Sequence, residues 1–206
     1  MRKWIPTILT VIAFGLSIAL YAQLPDRIVI HWGMDGEPNG WADKPFGAFM
    51  LPAMMLGFTA LFRMLPRADL LNDDYEKFSP SYDLISIAAV GLAFAVHVVT
   101  LSSALGYSIP IQRVGPAFLG VFLICIGNVL PRLRANSWVG FRTPWSETSD
   151  ANWARTHRVA GYLMVTSGVL WIALAAMPGV WMERIAIGSV VVTMIGSFGT
   201  SAFAEN

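Results

Sequence analysis

Charged residues fall in clusters along this chain, and long apolar runs separate them. No Asp, Glu, Lys or Arg occurs from Trp4 to Pro25, Pro45 to Phe62, Leu84 to Gln112, Val114 to Pro131, Val159 to Met182 or Ile185 to Ala204. Crossing the hydrocarbon core of a bilayer takes roughly 20 apolar residues in helical form. Each run approaches or exceeds that length. A charge at the centre of such a helix costs about 2.5–3.5 kcal/mol on insertion scales, so the charges mark the connections. The pattern predicts an all-α, polytopic membrane protein with about six transmembrane helices.

Composition agrees. Of 206 residues, 55% are hydrophobic and only 13% charged, against about 25% charged in ordinary soluble domains. Mean hydropathy is +0.58. The net charge of +1 gives no bulk attraction to nucleic acid. Arg2 and Lys3 before the first run resemble the start of a signal peptide. That run is longer than a signal-peptide core of roughly 7–15 residues and lacks a convincing cleavage site, so it reads as a retained anchor. The single cysteine, Cys125, lies in an apolar run and reads as a packing residue.

The basic residues predict orientation. Arg2, Lys3, Arg63, Arg67, Lys77, Arg132, Arg134, Arg142, Arg155 and Arg158 fall on one side of the alternating connections. Arg27, Lys44, Arg113 and Arg184 fall on the other. Positive charge is retained in the cytoplasm, so both termini are expected there. The chain reads as one membrane domain, 1–206. Within it, a two-helix module with an external loop spans 1–66, and a four-helix module spans 83–206.

The first connection, LPDRIVIHWGMDGEPNGWADKP, is expected outside and folded. Ile28, Ile30 and Trp32 alternate with Val29 and His31, which predicts a short extended segment. Glu37-Pro38-Asn39-Gly40 predicts a turn. His31, Trp32, Asp35, Glu37 and Lys44 are the candidates here for contact with an external ligand. His31, Asp35 and Glu37 are permissible metal ligands, but their spacing fits no structural zinc pattern, and no metal or cofactor is expected.

The fourth connection, GNVLPRLRANSWVGFRTPWSETSDANWARTHRVAG over residues 127–161, is dense in polar and aromatic residues. Thr148 or Ser149 can cap a new helix, with Asp150 in its first turn. Trp153, His157, Ala160, Gly161 and Met164 then share one face. This helix is expected to lie at the membrane surface and run into the fifth span. Arg142 can act as a fork for a carboxylate or phosphate, or pair with Glu147 or Asp150. Asn136, Arg142, Trp145, Trp153 and His157 are the candidates on this side. Inside the spans the polar candidates are His97 and Asn128. Ser189, Thr193, Ser197 and Ser201, each four residues apart, form a small polar stripe suited to close helix contact.

The two connections together resemble those of SdpI-type bacterial membrane proteins. Pro25, His31, Trp32, Gly36, Lys44 and Pro45 match the N-terminal module. Asn136, Gly140, Arg142, Thr143, Pro144, Trp145, Trp153, Thr156, His157 and Gly161 match the C-terminal signature. The resemblance implies a multi-pass protein of the bacterial cytoplasmic membrane that gives immunity to a secreted peptide toxin. It also implies a receptor role that holds a cytoplasmic repressor at the bilayer. A small-molecule or peptide transporter is the alternative, with His97 and Asn128 as its intramembrane candidates. Enzyme activity is not expected: no nucleophile–base pattern, metal signature or phosphate loop is present.

Overall fold

The computed structural model describes residues 2–33, 35–65, 75–136, 138–176 and 180–203. Arg67 and the side chain of Lys77, two of the ten basic residues used for orientation, lie outside the described residues. Six helices are long and apolar enough to cross a membrane: α1 (Ile5–Leu20), α2 (Lys44–Met64), α3 (Tyr75–Ala104), α4 (Ile111–Val129), α5 (Asp150–Ala176) and α6 (Val180–Ala202). The chain is a polytopic, all-α membrane protein whose one sheet among the described residues is a small hairpin.

That hairpin pairs β1 (Arg27–Trp32) with β2 (Pro38–Asp43) in antiparallel register, Arg27 opposite Asp43 and Val29 opposite Trp41. The register then slips at His31 and again at Trp32. The turn differs from the expected position: it falls between β1 and β2 at Gly33 and Asp35–Glu37, and Pro38-Asn39-Gly40 lies in β2. Gly33 donates its N–H to the Glu37 carbonyl, and Gly36, at φ +80, takes the left-handed conformation. The Asp35 carboxylate accepts the Glu37 N–H at 3.1 Å, which closes the loop locally. Pro38 is tolerated as the first residue of an edge strand.

Ile28 anchors the hairpin. It is fully buried in a cluster with Leu24, Ala48 and Leu101, so α1, α2 and α3 all hold it. A second cluster, Ala13, Met55, Val90 and Ala93, fills the middle of the same three helices. A third joins α3 to the other half through Ile85, Val129, Leu130, Leu133 and Ala160. Gln112 at the start of α4 donates to the Asp35 carbonyl, so the first and third connections share one end of the bundle. At the opposite end Arg63 donates to Thr7 and lies over the Trp4 ring, and Thr143 donates to Ser201. Successive helices therefore run in alternate directions.

The tightest helix contact is between α4 and α5. A Cβ built on Gly120 would lie 2.6 Å from the Gly168 carbonyl oxygen, and one on Gly168 would lie 2.5 Å from that of Gly120. Gly127 and Gly161 repeat the arrangement at 2.8 and 2.7 Å. The two glycines on each helix are seven residues apart, two turns, so an antiparallel pair brings both into register at once. Lipid tails are as apolar as leucine, so association here depends on such close packing and on Cα–H···O contacts rather than on hydrophobic burial. α5 and α6 meet through the polar stripe: Ser167 contacts Thr193 at 3.1 Å, and the Trp171 indole donates to Ser189 at 3.0 Å.

One expectation is corrected. Residues 150–176 form a single helix, not a surface helix followed by a span. At 1.5 Å per residue it is about 40 Å long, longer than the roughly 30 Å hydrocarbon core, so its first turns are placed beyond the apolar layer without a change of direction.

Two outcomes test this arrangement. In a Cys125→Ala background, a cysteine at exposed Asn39 reacts with an impermeant thiol reagent in intact cells, whereas one at exposed Thr148 reacts only after permeabilisation. The reverse result inverts the orientation. Gly168→Ala lowers the melting temperature in detergent, although alanine gains about 1 kcal/mol in helix propensity. Gly188→Ala, where no atom lies within 4 Å of the added carbon, does not lower it. Equal effects at the two positions contradict the contact.

Candidate functional site

The candidate residues divide between the two ends of the bundle. At the hairpin end, Lys44 opens α2, its backbone N–H bonds the Asp26 carbonyl at 2.8 Å, and its ammonium lies 4.9 Å from the centre of the Tyr21 ring. His31 and Asn39 face each other across the strands, Nδ1 to Oδ1 at 2.5 Å. Asp35 caps the turn, while His31, Asp35 and Glu37 are all exposed. Trp32, opposite Pro38, is half-buried. Among the described residues, no three His, Cys, Asp or Glu side chains converge as metal ligands. This end is a folded cap with a polar rim.

At the other end, residues 130–149 form an ordered knot. Asn136 is buried and sits at its centre. Its Oδ1 accepts the N–H groups of Trp138 and Val139 at 2.9 and 2.7 Å and the Tyr82 hydroxyl at 3.2 Å. Its Nδ2 donates to the Arg134 and Val139 carbonyls at 2.9 and 2.8 Å. One amide side chain thus replaces secondary structure for this stretch of backbone. Arg142 donates from Nη1 to the Asn136 carbonyl at 2.5 Å and from Nη2 to Glu147, one of the two pairings the sequence left open.

Ser149 is the α5 cap: its hydroxyl accepts the Asn152 N–H at 3.2 Å. Thr148, the alternative, instead donates to the Trp145 carbonyl at 2.7 Å. The predicted apolar face of α5 is the buried one. Trp153, 2% exposed, donates from its indole to the Leu133 carbonyl at 2.8 Å. It stacks on His157 with ring centres 4.1 Å apart.

The hydrogen bonds fix the His157 tautomer. The Phe141 N–H donates to Nε2 at 3.0 Å, so Nε2 carries a lone pair. Nδ1 therefore carries the proton and donates to the Trp153 carbonyl at 2.8 Å. Gly140 stands against this ring at φ +130, and a Cβ there would lie 2.3 Å from Nε2. Trp153 and His157 are thus interior supports, and Arg142 and Trp145 are the exposed members of the set. Trp145 meets Phe198 of α6 edge-on at 5.3 Å.

Inside the spans, His97 is fully buried. Its Nε2 lies 3.2 Å from both the Ser17 hydroxyl and the Ala13 carbonyl. Ser17 gives its own proton to the Ala48 carbonyl at 2.6 Å, so both neighbours of Nε2 are acceptors and Nε2 bears the proton. The imidazole ties α3 to α1, and Ser17 extends the link to α2. Nδ1 of His97 and the Thr100 hydroxyl are buried without a protein partner among the described residues. Asn128 lies within α4, where it is exposed and bonds the Ile124 carbonyl of its own helix at 2.8 Å. As a site residue it does not line the interior.

Several supports escaped the sequence reading. Ser146, completely buried, donates to the Phe141 carbonyl at 2.9 Å and accepts the Thr143 N–H at 2.9 Å. Asn152 donates to the carbonyls of Trp145 and Ser201 at 2.7 and 3.0 Å, tying the knot to α6. An asparagine one turn into an otherwise apolar helix face was a readable signal. The Gln112 contact had none, because it depends on which connections share an end.

The tautomer argument predicts the effect of His157→Phe. The ring stack is retained, but the buried Phe141 N–H loses its acceptor, at about 1–3 kcal/mol. The melting temperature in detergent falls by about 2–4 °C per kcal/mol for a chain of this size. An unchanged melting temperature contradicts the assignment.

Residues 8–56 match a domain of unknown function (DUF1648), which here is α1, the hairpin and the first half of α2. Residues 132–202 match the SdpI/YfhL protein family, which here is the knot, α5 and α6. The chain is 29% identical over 196 residues to the immunity protein SdpI of Bacillus subtilis (strain 168), covering 95% of this chain and 92% of that one. No solved structure matches the chain. The chain is thus similar to the SdpI/YfhL protein family over residues 132–202, which hold most of the knot, and to an immunity protein over nearly its whole length.

Proposed function

We infer that this protein gives its cell immunity to a secreted peptide toxin at the bacterial cytoplasmic membrane. The carrying observation is the near full-length similarity to an immunity protein, which spans both the hairpin module and the knot. The hairpin supports the reading. Ile28 locks it onto three helices, so its polar rim (His31, Asp35, Glu37) is presented without a large ordering cost on binding. The role is non-enzymatic. It works by holding the toxin at the outer face rather than by moving a solute, in keeping with polar side chains of the spans that tie helices together, His97 with Ser17 and Ser167 with Thr193.

The knot is the cytoplasmic counterpart. Arg142 and Trp145 are among the exposed arginines and tryptophans of a surface braced from within, with Arg132, Arg134 and Trp138, and residues of these types are frequent interface anchors. A cytoplasmic repressor protein would dock there, with Asn136, Trp153 and His157 holding the surface in shape from beneath.

A survival assay tests the immunity reading. Cells lacking the gene are complemented with the wild-type chain, with Trp32→Ala or with empty vector. They are then exposed to concentrated culture supernatant of the encoding organism. The wild-type chain raises survival by about tenfold or more, and Trp32→Ala reduces the gain at unchanged membrane abundance. Equal survival with wild-type chain and empty vector contradicts the proposal.

A further inference from the structure

A groove of about 630 Å³ lies where the knot meets the end of α6. Phe141 and Arg142 form one side, and Met194, Ile195, Phe198 and Gly199 form the other. The α6 wall is apolar and belongs to a candidate span, and Met194, Ile195 and Phe198 are each more than half exposed. The groove therefore opens sideways to the lipid, its lining is overwhelmingly apolar, and Arg142 stands at its knot end. The volume falls within the roughly 300–1,000 Å³ typical of small-molecule sites.

Arg142 is held in place rather than free to snorkel. Its Nη1 bonds the Asn136 carbonyl, and Asn136 is itself fixed by five hydrogen bonds to neighbouring groups. Glu147 takes one Nη2 proton. A guanidinium has five N–H donors, so these two contacts leave three for an anion. The groove is apolar along α6, and a held cation, Arg142, stands at its knot end. A fatty acyl chain bearing an anionic headgroup has that sequence of properties. A soluble anion would leave the apolar wall unused, and a neutral lipid would leave the guanidinium unused. Arg155 and Arg158 are exposed on the first turns of α5 at the same end and add to a positive field that draws anionic lipid.

We propose that this groove is a specific site for an anionic phospholipid, with its phosphate on Arg142 and one acyl chain along Met194, Ile195 and Phe198. The bound lipid bridges the knot and α6, adding to the Thr143–Ser201 and Asn152–Ser201 hydrogen bonds. It couples the exposed surface of the knot to membrane composition. The site is independent of any toxin.

The test uses the purified full chain in a neutral detergent. Thermal unfolding is followed with phosphatidylglycerol, phosphatidylcholine or inorganic phosphate added at equal concentration, and retained lipid is counted by native mass spectrometry. Phosphatidylglycerol raises the melting temperature and is retained at one per chain; the other two do neither. Gly199→Leu fills the groove at a position where no atom lies within 4 Å of the added Cβ, so the fold is kept while the lipid shift is lost. Arg142→Gln weakens retention about tenfold, as expected for a hydrogen bond to a charged group. Glu147→Gln separates lipid binding from simple bracing. It frees Arg142 from its counter-charge and enlarges the phosphatidylglycerol shift, whereas an Arg142 that serves only as a brace gives a lower melting temperature with no change in lipid response. Equal shifts with both lipids, a shift with phosphate alone, or a full shift in Gly199→Leu overturns the proposal. So does a groove that responds to an acidic amphipathic peptide and not to phosphatidylglycerol.

Discussion

The close approach of α4 to α5 is the constraint on which the second half of the molecule depends. Two glycine pairs, Gly120 with Gly168 and Gly127 with Gly161, put backbone against backbone at distances that leave no room for a side-chain carbon. Hydrophobic burial cannot select this geometry inside a bilayer, because lipid offers the same apolar surroundings. Shape does. Once the helices are in register, the end of α4 and the start of α5 are fixed relative to each other. The twenty residues from 130 to 149 must then close the gap in a confined, partly apolar space.

That confinement explains the polar density of the connection. Beyond a short 3-10 turn at Leu130–Arg132 and a few turn bonds, the described backbone groups there have no helix or sheet to satisfy them, and leaving one buried and unpaired costs about 1–3 kcal/mol. Side chains take the place of secondary structure. Asn136 serves two N–H groups and two carbonyls, Ser146 serves Phe141 and Thr143, and His157 accepts from Phe141. Trp153 closes the floor by bonding Leu133. Residues that resemble a binding motif in the sequence are therefore mostly the internal braces of a surface. Of the matched residues, Arg142 and Trp145 are among those that surface presents, beside Trp138. At the other end the same logic is carried by one apolar residue: Ile28 holds a short hairpin that a two-stranded sheet alone could not stabilise in water.

The spans were legible because the rule behind them is local: a charge in the hydrocarbon core is costly wherever it falls. The buried face of α5 followed from periodicity, and its cap was narrowed to Thr148 or Ser149, of which the structure selects Ser149. The hairpin turn was misplaced because Asn39-Gly40 is a strong local signal, while the actual turn is decided by Gly36 and the Asp35 carboxylate acting together. Asn128 lies in the span where it was expected, α4, and there a bond to the Ile124 carbonyl of its own helix satisfies one of its donors without a neighbour. The glycine pairs were present as two seven-residue spacings, 120 to 127 and 161 to 168. Their meaning depends on the two helices being antiparallel partners, which no single segment reveals. The roles of Trp153 and His157 were ambiguous for a similar reason: burial at that position depends on where the preceding twenty residues go.

The central claim is that the connection between α4 and α5 is an ordered element supported from within, and that its outer surface is what other molecules meet. Amide hydrogen exchange of the full chain in lipid nanodiscs measures this directly. The account predicts that the N–H groups of Val139, Phe141, Thr143 and Ser146 exchange as slowly as those in the first turns of α5, since each is bonded to Asn136, His157, Ser146 or Thr143. Exchange of these four amides at the rate of an unstructured loop, with α5 still protected, would contradict it.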